Sequence, residues 1–87
     1  MLTSVDATKA PSIEFNASAT NVTFDASMLR VALADGREIA VPLEYFPRLR
    51  DASPEQLHRF QIIGEGYGIA WDELDEHLSV RGLLRLH

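Results

Sequence analysis

The sequence predicts an α+β fold: a small, mainly antiparallel sheet that includes a β-hairpin, packed against one main helix, with a short helical turn at the C-terminus. Three observations predict it. Leu29, Val31 and Leu33 alternate along one run and Ile39, Val41 and Leu43 along the next, with Asp35-Gly36 between them. Asp-Gly between two such runs signals a hairpin, because tight primed turns require positive φ. Ser53-Pro54-Glu55-Gln56 has the pattern of a helix start: Ser53 caps, Pro54 takes the first helical position and Gln56 reaches back to the cap. Further on, Tyr67, Ile69 and Trp71 alternate with Gly68 and Ala70, the period of another strand.

Taken in order, residues 1–19 are rich in Ala, Ser and Thr without a sustained apolar period, and read as a flexible or weakly structured lead-in, with one short strand possible over Ser12–Phe15. A single domain is expected over 20–87. Val22 and Phe24 alternate with Thr23 and Asp25 as in a half-buried strand, and the hairpin follows. Pro42 has no amide hydrogen to donate, so it suits the end of an edge strand, and the second hairpin strand is expected to stop near Leu43. Tyr45-Phe46-Pro47-Arg48-Leu49 forms an aromatic connector in which Pro47 biases Phe46 toward extended backbone. The main helix is expected from Pro54 to about Ile62, burying Leu57 and Phe60 and ending at Gly64. Gly64 to Gly68 is a glycine-rich turn, and the small Gly68 and Ala70 allow something to pack close against their strand. Asp72 to Glu76 reads as an acidic turn leading to Leu78, and Ser79 as the cap of a last short turn carrying Val80, Leu83 and Leu84, weakened by Gly82.

Composition narrows the function. With 87 residues, 46% apolar, the chain can build one modest core, and without cysteine it has neither disulfides nor thiolate metal ligands. Thirteen acids against eight Lys and Arg give a net charge of −5, opposite in sign to the footprint of a nucleic-acid binder. No apolar run approaches the roughly 20 residues that cross a bilayer. The N-terminus lacks the basic and apolar pattern of a signal peptide, so a cytoplasmic location is expected. In that compartment the glycosylation-type triplets at Asn16 and Asn21 are chance occurrences.

The densest candidate for chemistry is Glu65, Asp72, Glu73, Asp75, Glu76 and His77, five acids and a histidine with no Lys or Arg among them. Hard cations prefer such oxygen donors, and a carboxylate beside a histidine can move protons. The spacing matches no calcium-loop or zinc pattern, and charged turns are commonly just solvated. Gly64, Gly66 and Gly68 follow a helix instead of opening one, and no Lys-Ser/Thr pair comes after them, so they read as a turn and not a phosphate cradle. Ser27, Ser53 and Ser79 lie in no nucleophile elbow, and no catalytic residue is assigned. Tyr45, Phe46, Arg48 and Arg50 form the leading candidate for partner binding, since aromatic and arginine side chains anchor protein interfaces. The plain alternative is that Phe46 and Trp71 are ordinary core and the arginines ordinary surface.

The run Asp35-Gly36-Arg37 followed by Val41-Pro42-Leu43-Glu44-Tyr45-Phe46-Pro47-Arg48-Leu49 resembles the domain-of-unknown-function 2442 family. The likeness continues through Ala52 to Gln56, Ile62-Ile63-Gly64, Gly68-Ile69-Ala70-Trp71, Leu74 to Val80 and Gly82-Leu83-Leu84, over roughly residues 20–86. In that family's pattern a His usually stands at the position of Ala70, and an acid often stands at that of His77. The resemblance implies a small bacterial α+β protein, sometimes fused to a helix-turn-helix and often associated with toxin–antitoxin-like gene pairs. Here the shared region runs to the end of the sequence, and no fused helix-turn-helix is expected. The expected function is a non-enzymatic interaction or regulatory, antitoxin-like module without a cofactor. Its partner would be another protein, toxin-like or regulatory, with a second copy of the chain as a further possibility through an open strand edge. The alternative is a metal-binding protein or small metal-assisted enzyme centred on Asp72, Asp75, Glu76 and His77, which requires those side chains to converge.

Overall fold

The computed structural model describes residues 17–25 and 27–86, so the strand considered over Ser12–Phe15 and most of the 1–19 lead-in lie outside the described residues. The chain builds β1 (Ala19–Asp25), β2 (Met28–Leu33) and β3 (Glu38–Pro42), then a 3-10 turn at Leu43–Tyr45 and two single-turn helices, α1 (Pro47–Arg50) and α2 (Pro54–Leu57). The second half carries β4 (Gln61–Ile63), β5 (Gly68–Trp71), β6 (Glu76–Ser79) and α3 (Val80–Leu86), with 3-10 turns at Gly64–Gly66 and Asp72–Leu74. The class is α+β, and among the described residues all pairing is antiparallel, but in two three-stranded sheets, β1-β2-β3 and β4-β5-β6, where one was expected.

The first sheet follows its apolar alternation. Leu29, Val31 and Leu33 of β2 and Ile39 and Val41 of β3 are all buried, while the residues between them are not. Within the hairpin, Leu33 N donates to the Arg37 carbonyl at 2.8 Å and Gly36 N to that of Leu33 at 3.0 Å. Gly36 alone takes positive φ, at 95°, so the loop is wider than the two-residue primed turn the dipeptide suggests. Asp35 supports it by accepting from Arg37 N at 3.1 Å. Pro42 is the last residue of β3, an edge strand of its sheet, where a missing donor costs no ladder bond.

The expectation of one main helix over Pro54–Ile62 is corrected. Its start forms as read: Gln56 N donates to Ser53 Oγ at 3.1 Å, and Ser53 N donates to Gln56 Oε1 at 3.0 Å. The helix then ends at Leu57, because two longer-range interactions outweigh its continuation. A longer helix would need the Leu57 carbonyl for Gln61 N–H, and that carbonyl accepts instead from the buried Trp71 Nε1 at 2.9 Å. Ile62 and Ile63, β-branched, find backbone partners opposite Ile69 and Gly68 in β5. Gly64, expected to end the helix, opens the next turn at φ 60°.

Ser79 caps as expected, accepting from Gly82 N at 2.9 Å, and α3 runs seven residues with Val80 and Leu83 buried. The stretch leading to Leu78 is strand β6. One cluster of buried side chains draws on both sheets and α3, with Trp71, Leu29, Ile39, Leu49, Ile69 and Leu83 among its largest members. β1 approaches β4, and α3 packs against β3, so each sheet contributes a neighbour to the other. At that junction a Cβ on Gly66 would stand 2.6 Å from Ser18 Cβ and 3.0 Å from the Ala19 carbonyl oxygen. Among the described residues no helix is long and apolar enough to cross a membrane.

Candidate functional site

The two regions that the sequence offers as rival sites lie against each other. Pro47 opens α1, and the buried Leu49 anchors it, leaving Arg48 and Arg50 on the solvent side. Arg48 Nη1 donates to the backbone carbonyl of Asp75, and lies 3.7 Å from Asp75 Oδ2 and 3.8 Å from Glu76 Oε1. The connector is thereby strapped to the start of β6. Asp75 holds φ at 55°, a left-handed position that Asp tolerates better than most residues, and its carbonyl is the one Arg48 takes.

The remaining connector residues behave differently from one another. Arg50 is exposed and pairs with its neighbour Asp51, Nε to Oδ1 at 2.9 Å, a contact that raises the arginine's pKa and holds the Asp51 carboxyl below its ordinary value. Phe46 is half-buried against the core. Tyr45 is 56% exposed, its ring centroid 6.5 Å from that of Phe46. Leu86 of α3 is also exposed, and with Phe46 and Leu83 it borders a cleft of about 350 Å³ beside residues 77–79.

Asp72, Asp75, Glu76 and His77 all border a second depression, of about 340 Å³, floored by Ala70 and Trp71. Their ligating atoms do not converge there: Asp75 and Glu76 face Arg48, and among the described residues no three His, Asp or Glu side chains are grouped to hold a metal ion. Glu73 turns away from that depression to Arg59, Oε1 to Nη1 at 2.9 Å, with Gln56 Nε2 at 3.5 Å from Oε2. The Arg59 hydrogen bond, seconded by Gln56, holds the Glu73 carboxyl below its usual range. His77 stands opposite Ala70 in the β5–β6 ladder, and its Nε2 would meet a Cβ on Gly68 at 2.9 Å. The close packing expected against Gly68 is therefore made by His77 and Ile63. Ala70 and His77, the positions at which the resemblance implies a histidine and an acid, are cross-strand neighbours.

Trp71 is a core residue, fully buried, with its one polar atom satisfied by Leu57. Sequence reasoning missed the cleft because its far wall belongs to α3, read only as a weak last turn. The signal available was Arg81 and Arg85, four apart and therefore on one helix face, with Leu86 beside them.

No curated protein matches the chain. A crystal structure of a protein of unknown function from Rhodospirillum rubrum is similar to it at 34% identity and a TM-score of 0.69, over 78% of this chain and 84% of that one. A solution NMR structure of an uncharacterized protein from Chromobacterium violaceum matches at 27% identity and a TM-score of 0.67, over 78% of this chain and 64% of that one. Residues 19–87 match the family described as Protein of unknown function (DUF2442), and the chain belongs to that family.

Proposed function

We propose that the domain is a non-enzymatic protein-binding module whose contact surface centres on Tyr45 and Phe46. The observation that carries this reading is the presentation of Tyr45. A large aromatic side chain, 56% exposed, sits on a connector held by the buried Leu43 and Leu49 and by the Arg48 strap, next to an apolar cleft. A connector whose backbone is already held in shape loses little chain entropy when a partner covers it, and Tyr is among the residue types that dominate interfaces. Arg48 then acts within the domain, holding the surface in shape, while Arg50 lies at the rim. A toxin-like or regulatory protein is the class of partner to look for, in line with the gene associations that the family resemblance implies.

The test is affinity capture of the tagged chain from its own cells, with Tyr45→Ala compared against Tyr67→Ala. Tyr67 is as exposed, at 59%, but lies at the end of the glycine-rich turn. A stoichiometric partner lost in the first variant and kept in the second supports the module, with an expected weakening of roughly thirtyfold for an interface anchor. No partner, or equal losses in both variants, refutes it, and a divalent ion retained by the purified chain would turn attention to the depression around Asp72 and His77.

A further inference from the structure

β6 is the terminal strand of its sheet, and among the described residues no strand lies beside its outer edge. Val80 N donates to the Tyr67 carbonyl at 3.0 Å, and in that register the main-chain groups of His77 and the N–H of Ser79 turn outward, while the Ser79 carbonyl, at the cap of α3, is the helix's first acceptor. Arg48, bonded to the Asp75 carbonyl, occupies one end of this edge. Past that point Phe46 faces residues 77–79 across the 350 Å³ cleft, whose other wall is Leu83, Arg85 and Leu86. An open edge presents a row of unpaired donors and acceptors, the template for adding a strand.

Charge narrows what the edge would accept. Arg30, Arg37, Arg48, Arg50 and Arg59 each pair with an Asp or Glu of the chain. Arg81 and Arg85 have no such partner among the described residues, although the chain carries a net charge of −5. Both lie on α3, and Arg85 lines the cleft. Two free arginines on an acidic domain are too few to track a phosphate backbone, and the net charge sets two copies of the chain against each other. The volume is at the small end of ligand sites, enough for a few side chains.

We propose that a partner protein inserts an extended segment here, carrying acidic side chains among apolar ones, and adds it to β6 as a fourth strand. Its backbone pairs with His77 and the Ser79 N–H, its apolar side chains enter the cleft between Phe46 and Leu86, and its carboxylates meet Arg85 and Arg81. This deepens the protein-binding reading and rests on it, since Phe46 belongs to both surfaces.

The test selects displayed random peptides on the immobilised full chain and titrates an enriched peptide into the isotope-labelled protein. Expected are sequences that alternate apolar and acidic residues and, on binding, slowing of hydrogen exchange at the His77 and Ser79 amides by about tenfold or more. Arg85→Glu should weaken the peptide roughly tenfold, and added salt should weaken it further. Leu86→Ala, at an exposed site, should weaken it several-fold while far-UV circular dichroism stays unchanged. No enrichment, enrichment of basic or purely apolar sequences, unprotected His77 and Ser79 amides, or full binding by Arg85→Glu would each overturn the proposal. So would a dimer of the free chain that protects the same amides. If these outcomes fail while Tyr45→Ala still abolishes capture of a partner, strand addition falls and the module stands; if capture also fails, both fall.

Discussion

Replacing Trp71 by Phe tests the contact that ties α2 to the second sheet. Trp71 is fully buried, its Nε1–H donates to the Leu57 carbonyl at 2.9 Å, and its ring centroid lies 6.4 Å from that of Phe60. Phenylalanine keeps an aromatic ring in the slot but brings no donor. The Leu57 carbonyl, on a buried residue, is left without its partner at a cost of about 1–3 kcal/mol. The missing ring atoms leave a gap worth about 1 kcal/mol more. The expected loss is therefore about 2–4 kcal/mol, a large part of the roughly 5–15 kcal/mol that holds a domain folded. Urea unfolding followed by far-UV circular dichroism reads it directly, since the variant lacks the chain's one tryptophan as a fluorescent probe. With a slope near 1 kcal/mol per molar urea, the midpoint should fall by about 2 M or more. A fall under about 0.5 M at unchanged slope would refute the reasoning, because the carbonyl would then have an equally good partner without the indole.

Gly66→Ala should destabilise the junction between the sheets: its Cβ would meet Ser18 and Ala19 at 2.6–3.0 Å, and the residue sits at φ 93°. Left-handed strain of about 1–2 kcal/mol and overpacking of about 1–3 kcal/mol predict a thermal midpoint lower by roughly 10 °C or more. Gly64→Ala, at φ 60° with no atom within 4 Å of the new Cβ, should show only the strain part, and equal losses in the two would argue against the clash. Glu73 has its folded pKa lowered by Arg59 and Gln56, so its contribution is present above the ordinary value of 4.5 and is lost as pH falls through the lower folded value. Urea midpoints should drop between pH 5 and pH 3, and Glu73→Gln should flatten that part of the profile; an unchanged slope in the variant would count against the Arg59 contact.

Local chemistry was legible wherever the deciding contacts lie close along the chain. The hairpin around Asp35-Gly36, the capping box at Ser53, the Ser79 cap and the end of β3 at Pro42 all depend on residues within a few positions of one another. The family likeness was legible for a related reason, since it rests on short blocks in order, and residues 19–87 carry it. Local pattern first loses to a distant contact at Leu57. Helical periodicity in Leu57 and Phe60 is real, but the backbone there answers to Trp71, fourteen residues further on, and to pairing with β5.

The candidate site shows the same division. Residue types named Tyr45, Phe46, Arg48 and Arg50 on one side and Asp72 to His77 on the other, because aromatic rings, guanidinium groups and carboxylates declare their chemistry in any order. That Arg48 straps the first group to the second, that Asp75 and Glu76 face it, and that Phe46 opens a cleft toward α3 are consequences of folding. Composition and local pattern settle which residues can cap, turn, alternate or carry charge. Which of them meet is settled by the closing of the two sheets over one core, where a contact between distant residues competes with, and here outweighs, the preference of a nine-residue stretch for helix.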